Sequence, residues 1–185
     1  MRIARARASR LSVIYAFCIV GLVTGCASSP SSHQQLVRLP APCTLLTQPI
    51  AAQITGDIGV TNDARNVAEA VSEYVACIYS DPVNEANSAA VQIKREARHV
   101  SPATLLAAAT FFSAGEAVQP YRLFSVVGIG DGALGESTPG VAFIVFSAGS
   151  ALVFVGAASS SRTVASLRAG VGDLARRVAA AISPV

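Results

Sequence analysis

Between Ser137 and Ser161 the chain carries no charged side chain for 25 consecutive residues. Wherever such a stretch is buried its backbone N–H and C=O groups need partners, and only two arrangements supply them in bulk, a helix or a set of paired strands. As one helix it is long enough to cross a bilayer, with a span near residues 139–158 and Arg162, Arg168, Arg176 and Arg177 on the cytoplasmic side. As two strands over Val141 to Gly156 it is a hairpin turning at Ala148-Gly149-Ser150. Gly, Ser and Ala dilute the apolar character, and turn residues sit in the middle of the run. The hairpin is therefore the preferred reading, and a sheet must form around it.

The segment downstream of the run supports the hairpin. Val164, Leu167, Val171, Leu174, Val178 and Ile182 recur at helical spacing, opposite Arg168, Asp173 and Arg176. A helix with that stripe needs a flat apolar surface to cover, and a central hairpin provides one. Upstream, Ser101-Pro102 offers an N-cap and an N1 proline ahead of an Ala- and Leu-rich run, Ala103 to Ala117, with no breaker before Gly115. Thr47 offers a cap for a shorter helix with Pro49 in its first turn, Gly56 at its end, and Leu46, Ile50 and Ile54 on one face. Val91 to Arg95 alternates as a strand does, and Tyr74 to Ser80 reads as its hairpin partner after a helical stretch from Val67. Tyr121 to Val127 reads as a strand and Gly128 to Gly140 as a glycine-rich loop. The sum is an α+β fold, an antiparallel sheet of about five strands with flanking helices.

The N-terminus has a different grammar. MRIARARASR is basic, Leu11 to Val23 is apolar and uncharged, and Val23-Thr24-Gly25-Cys26 ends in small residues before a cysteine. Basic, apolar and small-residue regions in that order make a secretory signal. The cysteine makes its cleavage site similar to the lipobox of bacterial lipoproteins, so residues 1–25 are expected to leave and Cys26 to carry lipid. The remaining 160 residues hold 10 basic and 11 acidic side chains, against +3 for the whole chain, so the basic balance belongs to the signal and gives no reason to expect nucleic acid. Residues 26–42 are rich in Ser and Pro and read as a tether, with a solvated His33, leaving 43–185 as one domain. A lipid on Cys26 makes the membrane the first expected partner. Ala27 lacks the aspartate that retains lipoproteins in the inner membrane. The expected location is thus the periplasmic side of the outer membrane in a Gram-negative cell, and the outer face of the cytoplasmic membrane in an actinobacterium.

Once the signal and Cys26 are set aside, Cys43 and Cys77 are the remaining thiols. In an exported domain a pair suggests one disulfide, the alternative being two buried free cysteines.

The order of parts resembles a lipoprotein family of actinobacteria and other GC-rich bacteria, the family called domain of unknown function 3558. Its landmarks are matched by Pro42-Cys43-Thr44-Leu45-Leu46-Thr47 with a short helix ending in glycine, by Cys77-Ile78-Tyr79, and by Gly128-Ile129-Gly130-Asp131-Gly132-Ala133. The family's usual acidic residue in the first helix is absent around Gln48-Pro49-Ile50. The resemblance covers about residues 42–183 and implies a small extracytoplasmic α+β domain with a disulfide, and no activity.

No catalytic pattern in the chain is complete. Gly128-x-Gly130-x-x-Ala133 has the outline of a dinucleotide fingerprint but is followed by Gly135-Glu136-Ser137-Thr138-Pro139-Gly140, which cannot open the phosphate-binding helix that such a loop requires. The loop reads instead as a turn needing positive φ, with Asp131 bonding backbone N–H groups. His33 and His99 have no visible partner for nucleophilic chemistry, and no His or carboxylate set has metal-ligand spacing. Glu69 and Glu73 share a helix face that reads as solvated. Lys94, Arg95 and Arg98 form a short basic cluster able to touch anionic lipid or a cell-wall polymer. The expectation is a non-enzymatic binding or accessory module without cofactor or metal. Gly128, Gly130, Asp131 and Ala133 form the candidate binding loop, for an envelope protein or a small ligand. The alternative is a spanin-like tether joining two membranes.

Overall fold

A computed structural model describes residues 37–62, 74–84, 86–114 and 123–184. The expected signal, the lipidation residue Cys26, His33, the helical reading from Val67 with Glu69 and Glu73, and Tyr121 lie outside the described residues.

The uncharged run is a hairpin. Strands β7 (Val141–Ala148) and β8 (Ala151–Ala158) pair in register from Val141↔Ala158 to Ala148↔Ala151, and Gly149, with φ of 60°, lets the two-residue turn close. Both strands are buried along nearly their whole length. They sit mid-sheet with helices on both faces, and a strand covered on both sides has no wet face to alternate. The alternative of a membrane span near residues 139–158 does not hold, because these residues form this hairpin. Among the described residues no helix is long and apolar enough to cross a membrane.

Around the hairpin lie β2 (Thr61–Asn62), β3 (Tyr74–Ser80), β4 (Ser88–Arg95), β5 (Phe124–Ser125) and β6 (Gly132–Thr138), giving a seven-stranded antiparallel sheet ordered β2-β3-β4-β8-β7-β6-β5. The α+β architecture is the expected one, with seven strands rather than about five. The added strands are the two-residue β2 and β6, which occupies most of the stretch expected to be a loop. Strand β5 is shorter than the strand expected over Tyr121 to Val127. Glycine and small polar residues have little strand preference of their own. What makes β6 a strand is seven consecutive partners on β7, from Gly132↔Ser147 to Thr138↔Val141. Gly135 also has a packing role: a Cβ there would come to 3.1 Å from the ring of Phe124 on β5, over which the Arg168 guanidinium stacks at 4.1 Å.

Helices α1 (Pro42–Leu45), α2 (Gln48–Thr55) and α4 (Val164–Ala181) cover one face. Their core joins Leu46, Ile54, Leu167, Val171, Leu174 and Val178 to Val91, Ile93, Phe146, Val153 and Val155 of the sheet. Helix α3 (Pro102–Ala114), capped as expected by Ser101 Oγ accepting from Thr104 N–H at 3.1 Å, lies on the other face. There Leu105 and Ala109 meet Phe143, Val145 and Leu152. In α4 the Thr163 hydroxyl accepts from Ser166 N–H at 3.2 Å, and Gly170 lets α2 approach: a Cβ would lie 3.1 Å from Ile54 Cγ1.

Helix α2 starts after Thr47 and ends at Gly56, left-handed with φ of 75°, as the sequence suggests. The Thr47 side chain, however, makes no capping bond. Pro49 occupies the second helical position and has no N–H to offer, so one of the two usual targets of a capping oxygen is missing.

Cys43 of α1 is bonded to Cys77 of β3 with the Cα atoms 5.1 Å apart, the expected disulfide, which fixes the first helix to the sheet. One more pairing departs from expectation. The last residues of the stretch read as tether form β1 (Val37–Arg38), paired antiparallel with β9 (Ser183–Pro184) just past α4. Leu39 packs against the core. Residues 37–42 of the stretch expected to be a tether therefore belong to the fold.

Candidate functional site

The strand register gives the sheet two ends. At one, β4 stops at Arg95 against Ala151, the β7–β8 turn carries Gly149 and Ser150, and β6 begins at Gly132 opposite Ser147. The candidate loop lies here. Gly128 and Gly130 adopt φ of 76° and 56°, the left-handed region that glycine enters without steric cost. At Gly130 nothing else fits, because a Cβ would fall well inside contact distance of the Ser147 carbonyl oxygen, whereas Gly128 faces open space. Between them Ile129 is 2% exposed and belongs to the main core, as does Ala133.

Asp131 is held from two directions. Its N–H donates to the Ser147 carbonyl at 2.8 Å, and its carboxylate accepts from Gly149 N–H at 2.6 Å. The sequence pattern assigns it to nearby backbone, but its side-chain donor lies on the neighbouring hairpin. The loop is thus a strut that buries Ile129 and braces the β7–β8 turn. What it presents outward is Val127, 93% exposed, and the backbone of Gly128.

The same end gathers most of the described cations. Lys94 pairs with Glu96 at 2.8 Å, and Arg98 and His99 are exposed on the segment that hydrogen-bonds to the β7–β8 turn through Glu96 N–H to Ser150 O (2.7 Å) and Val100 N–H to Gly149 O (3.2 Å). Helix α4 leaves the sheet at the other end. At 18 residues it is about 27 Å long, enough to run back along strands of eight residues. Arg176 and Arg177 are exposed on its last two turns, close to β9 and its partner Arg38.

The opposite end holds a polar knot that the sequence does not announce. Asn87, 5% exposed, donates from Nδ2 to Asp57 Oδ2 at 2.6 Å and accepts at Oδ1 from Ser160 N–H at 2.9 Å. Ser159 Oγ donates to Thr55 O at 2.6 Å and accepts from Arg162 N–H at 3.2 Å, while Arg162 Nη2 donates to Gln53 O at 2.6 Å. These bonds tie the end of α2, the β3–β4 turn and the β8–α4 connection. The Asn87 amide, then the Gly59 N–H, hold the Asp57 carboxyl below the usual carboxylate range, with a smaller contribution from Asp81. A carboxyl stabilised as the anion is a poor proton donor at neutral pH. The only sequence hint of this knot is a run of serines ahead of α4, since its partners come from positions up to 109 residues apart.

Elsewhere, Glu136 is 5% exposed on β6, on the α3 side of the sheet, opposite Phe143. Leu106 and Phe111 of α3 are large apolar side chains left exposed. Among the described residues no group of three or more His, Cys, Asp or Glu is placed to hold a metal ion. No family model matches the chain, and no curated protein compared with it matches.

Proposed function

We propose that the chain is an exported lipoprotein anchored through a lipid on Cys26, and that its single domain is a non-enzymatic binding or accessory module of the cell envelope. One combination carries this reading. A basic and apolar leader ends in Val23-Thr24-Gly25-Cys26, and the domain behind it is closed by the Cys43–Cys77 disulfide, a cross-link that persists in oxidising compartments. The landmarks shared with the domain of unknown function 3558 family point the same way, since that resemblance implies an extracytoplasmic lipoprotein. The surface it offers is the end of the sheet bearing Val127 and the Gly128 to Ala133 loop.

Metabolic labelling with radioactive palmitate in a bacterial host tests the anchor. Label is expected on the wild-type protein and lost in Cys26→Ser. An unlabelled wild type, or label that persists in Cys26→Ser, overturns the reading.

A further inference from the structure

We propose that the end of the sheet formed by the Gly128 to Ala133 loop, the β7–β8 turn and the last turns of α4 is a docking face for anionic lipid headgroups, and that the domain lies with this end against the membrane. The proposal names the partner of the surface described above and rests on the lipid-anchor reading.

Three observations converge. The first is where the tether joins the fold. Val37–Arg38 pair with Ser183–Pro184, just beyond Ala181 where α4 ends, and because α4 starts at the knot end and is long enough to run back along the strands, this pairing is placed toward the loop end rather than at the polar knot. Residues 27–36 lie between the lipid site and β1. Fully extended, ten residues reach about 35 Å, so this end stays within roughly one domain length of the bilayer.

The second is charge. Among the described residues, Lys94, Arg95 and Arg98 stand beside the β7–β8 turn, and Arg38, Arg176 and Arg177 lie on or next to the last turns of α4, a helix that starts at the opposite end and is long enough to return to this one. The described carboxylates among them are Glu96, paired with Lys94, Asp173, paired with Arg176, and Asp131, bonded to Gly149 N–H. At the knot end the described residues carry Asp57, Asp81 and one cation, Arg162. Among the described residues this group is therefore richer in cations than the knot end. Basic residues held near an anionic surface add attraction to a lipid anchor, the two-signal arrangement of peripheral proteins.

The third is Val127, which is 93% exposed at the tip of the loop. A lone aliphatic side chain beside a cationic rim suits the boundary between headgroups and acyl chains. Its neighbour Gly128, with open space around it, sets no side chain between that tip and the surface.

The test uses the unlipidated chain from Ala27, which keeps all of the described core, mixed with phosphatidylcholine vesicles with and without phosphatidylglycerol. Sedimentation with the anionic vesicles at low salt and release at high salt are expected, with no binding to phosphatidylcholine alone. The triple substitution Arg38→Gln, Arg176→Gln, Arg177→Gln is expected to weaken binding about tenfold or more, and Asp81→Asn at the other end to change it less than about threefold. Val127→Asp, which touches no packing, is expected to weaken binding while leaving the thermal midpoint in place. Equal binding to both vesicle types, or an unchanged affinity of the triple variant and of Val127→Asp, overturns the proposal. So does binding to soluble polyphosphate without binding to vesicles. Mass spectrometry of Cys26 in the full chain is read separately, so a failure of the anchor and a failure of the docking face are distinguishable.

Discussion

Asp131 and Gly149 lie eighteen positions apart, yet the carboxylate of the first accepts the backbone N–H of the second at 2.6 Å. That bond makes two neighbouring turns one unit. A short charge-assisted bond near the surface contributes more than a neutral one, about 1–2 kcal/mol here. Asp131→Ala is expected to lower unfolding stability by that amount, read from the urea midpoint, and Asp131→Asn by less, because an amide oxygen still accepts.

Two glycines of the same turn separate backbone freedom from packing. Gly130→Ala adds the left-handed penalty, about 1–2 kcal/mol, and drives a methyl into the Ser147 carbonyl oxygen. A loss of more than about 3 kcal/mol, or failure to fold, is expected. Gly128→Ala meets nothing within 4 Å and carries only the conformational term of about 1 kcal/mol. Equal midpoints for the two variants would show that the loop does not press against β7.

The Cys43–Cys77 bond closes a loop of 34 residues, worth about 3–4 kcal/mol in the chain-entropy description. The double variant Cys43→Ser, Cys77→Ser is expected to lose that much in chemical denaturation, with similar far-ultraviolet circular dichroism in native buffer. Reducing the wild type should reproduce the loss.

Two threonines precede helices, and one of them caps. Thr163 accepts from Ser166 N–H, so Thr163→Ala is expected to cost about 1 kcal/mol. Thr47 makes no such bond, so Thr47→Ala should leave the denaturation midpoint within about 0.5 kcal/mol of wild type. The reverse ranking would mean that α2, not α4, depends on its cap.

Asp57 supplies a pH dependence. Its carboxyl is held below the ordinary aspartate value by the Asn87 amide and the Gly59 N–H, so the folded state binds this proton less readily than the unfolded chain. The stabilisation is present above the unfolded value and is lost as pH falls through the lower folded one. Carbon-13 titration of the carboxyl is expected to place the midpoint below that of an unstructured aspartate in wild type, and to move it upward in Asn87→Ala.

How much of this was legible in the sequence depended on the range of the interactions involved. The β7–β8 hairpin, the strand Tyr74 to Ser80, the Ser101 cap and the α4 stripe rest on neighbours within one or two turns of chain, so periodicity and turn residues determined them. The disulfide was readable because few thiols remained to pair.

Tertiary structure decided what local preference could not. Gly132 to Thr138 has no strand character of its own and became β6 because β7 offered it seven partners, with Phe124 filling the space over Gly135. Val37–Arg38 became a strand because Ser183–Pro184 was carried to it by α4. Asn87, buried and bonded to Asp57 and Ser160, took its place only once three chain segments met. Lys94, Arg95 and Arg98 came to lie beside the β7–β8 turn by the same route, through strand register. A local pattern carries the free energy of its own few residues, whereas a pairing between distant segments forms only after folding has met the loop-closure entropy that separates them.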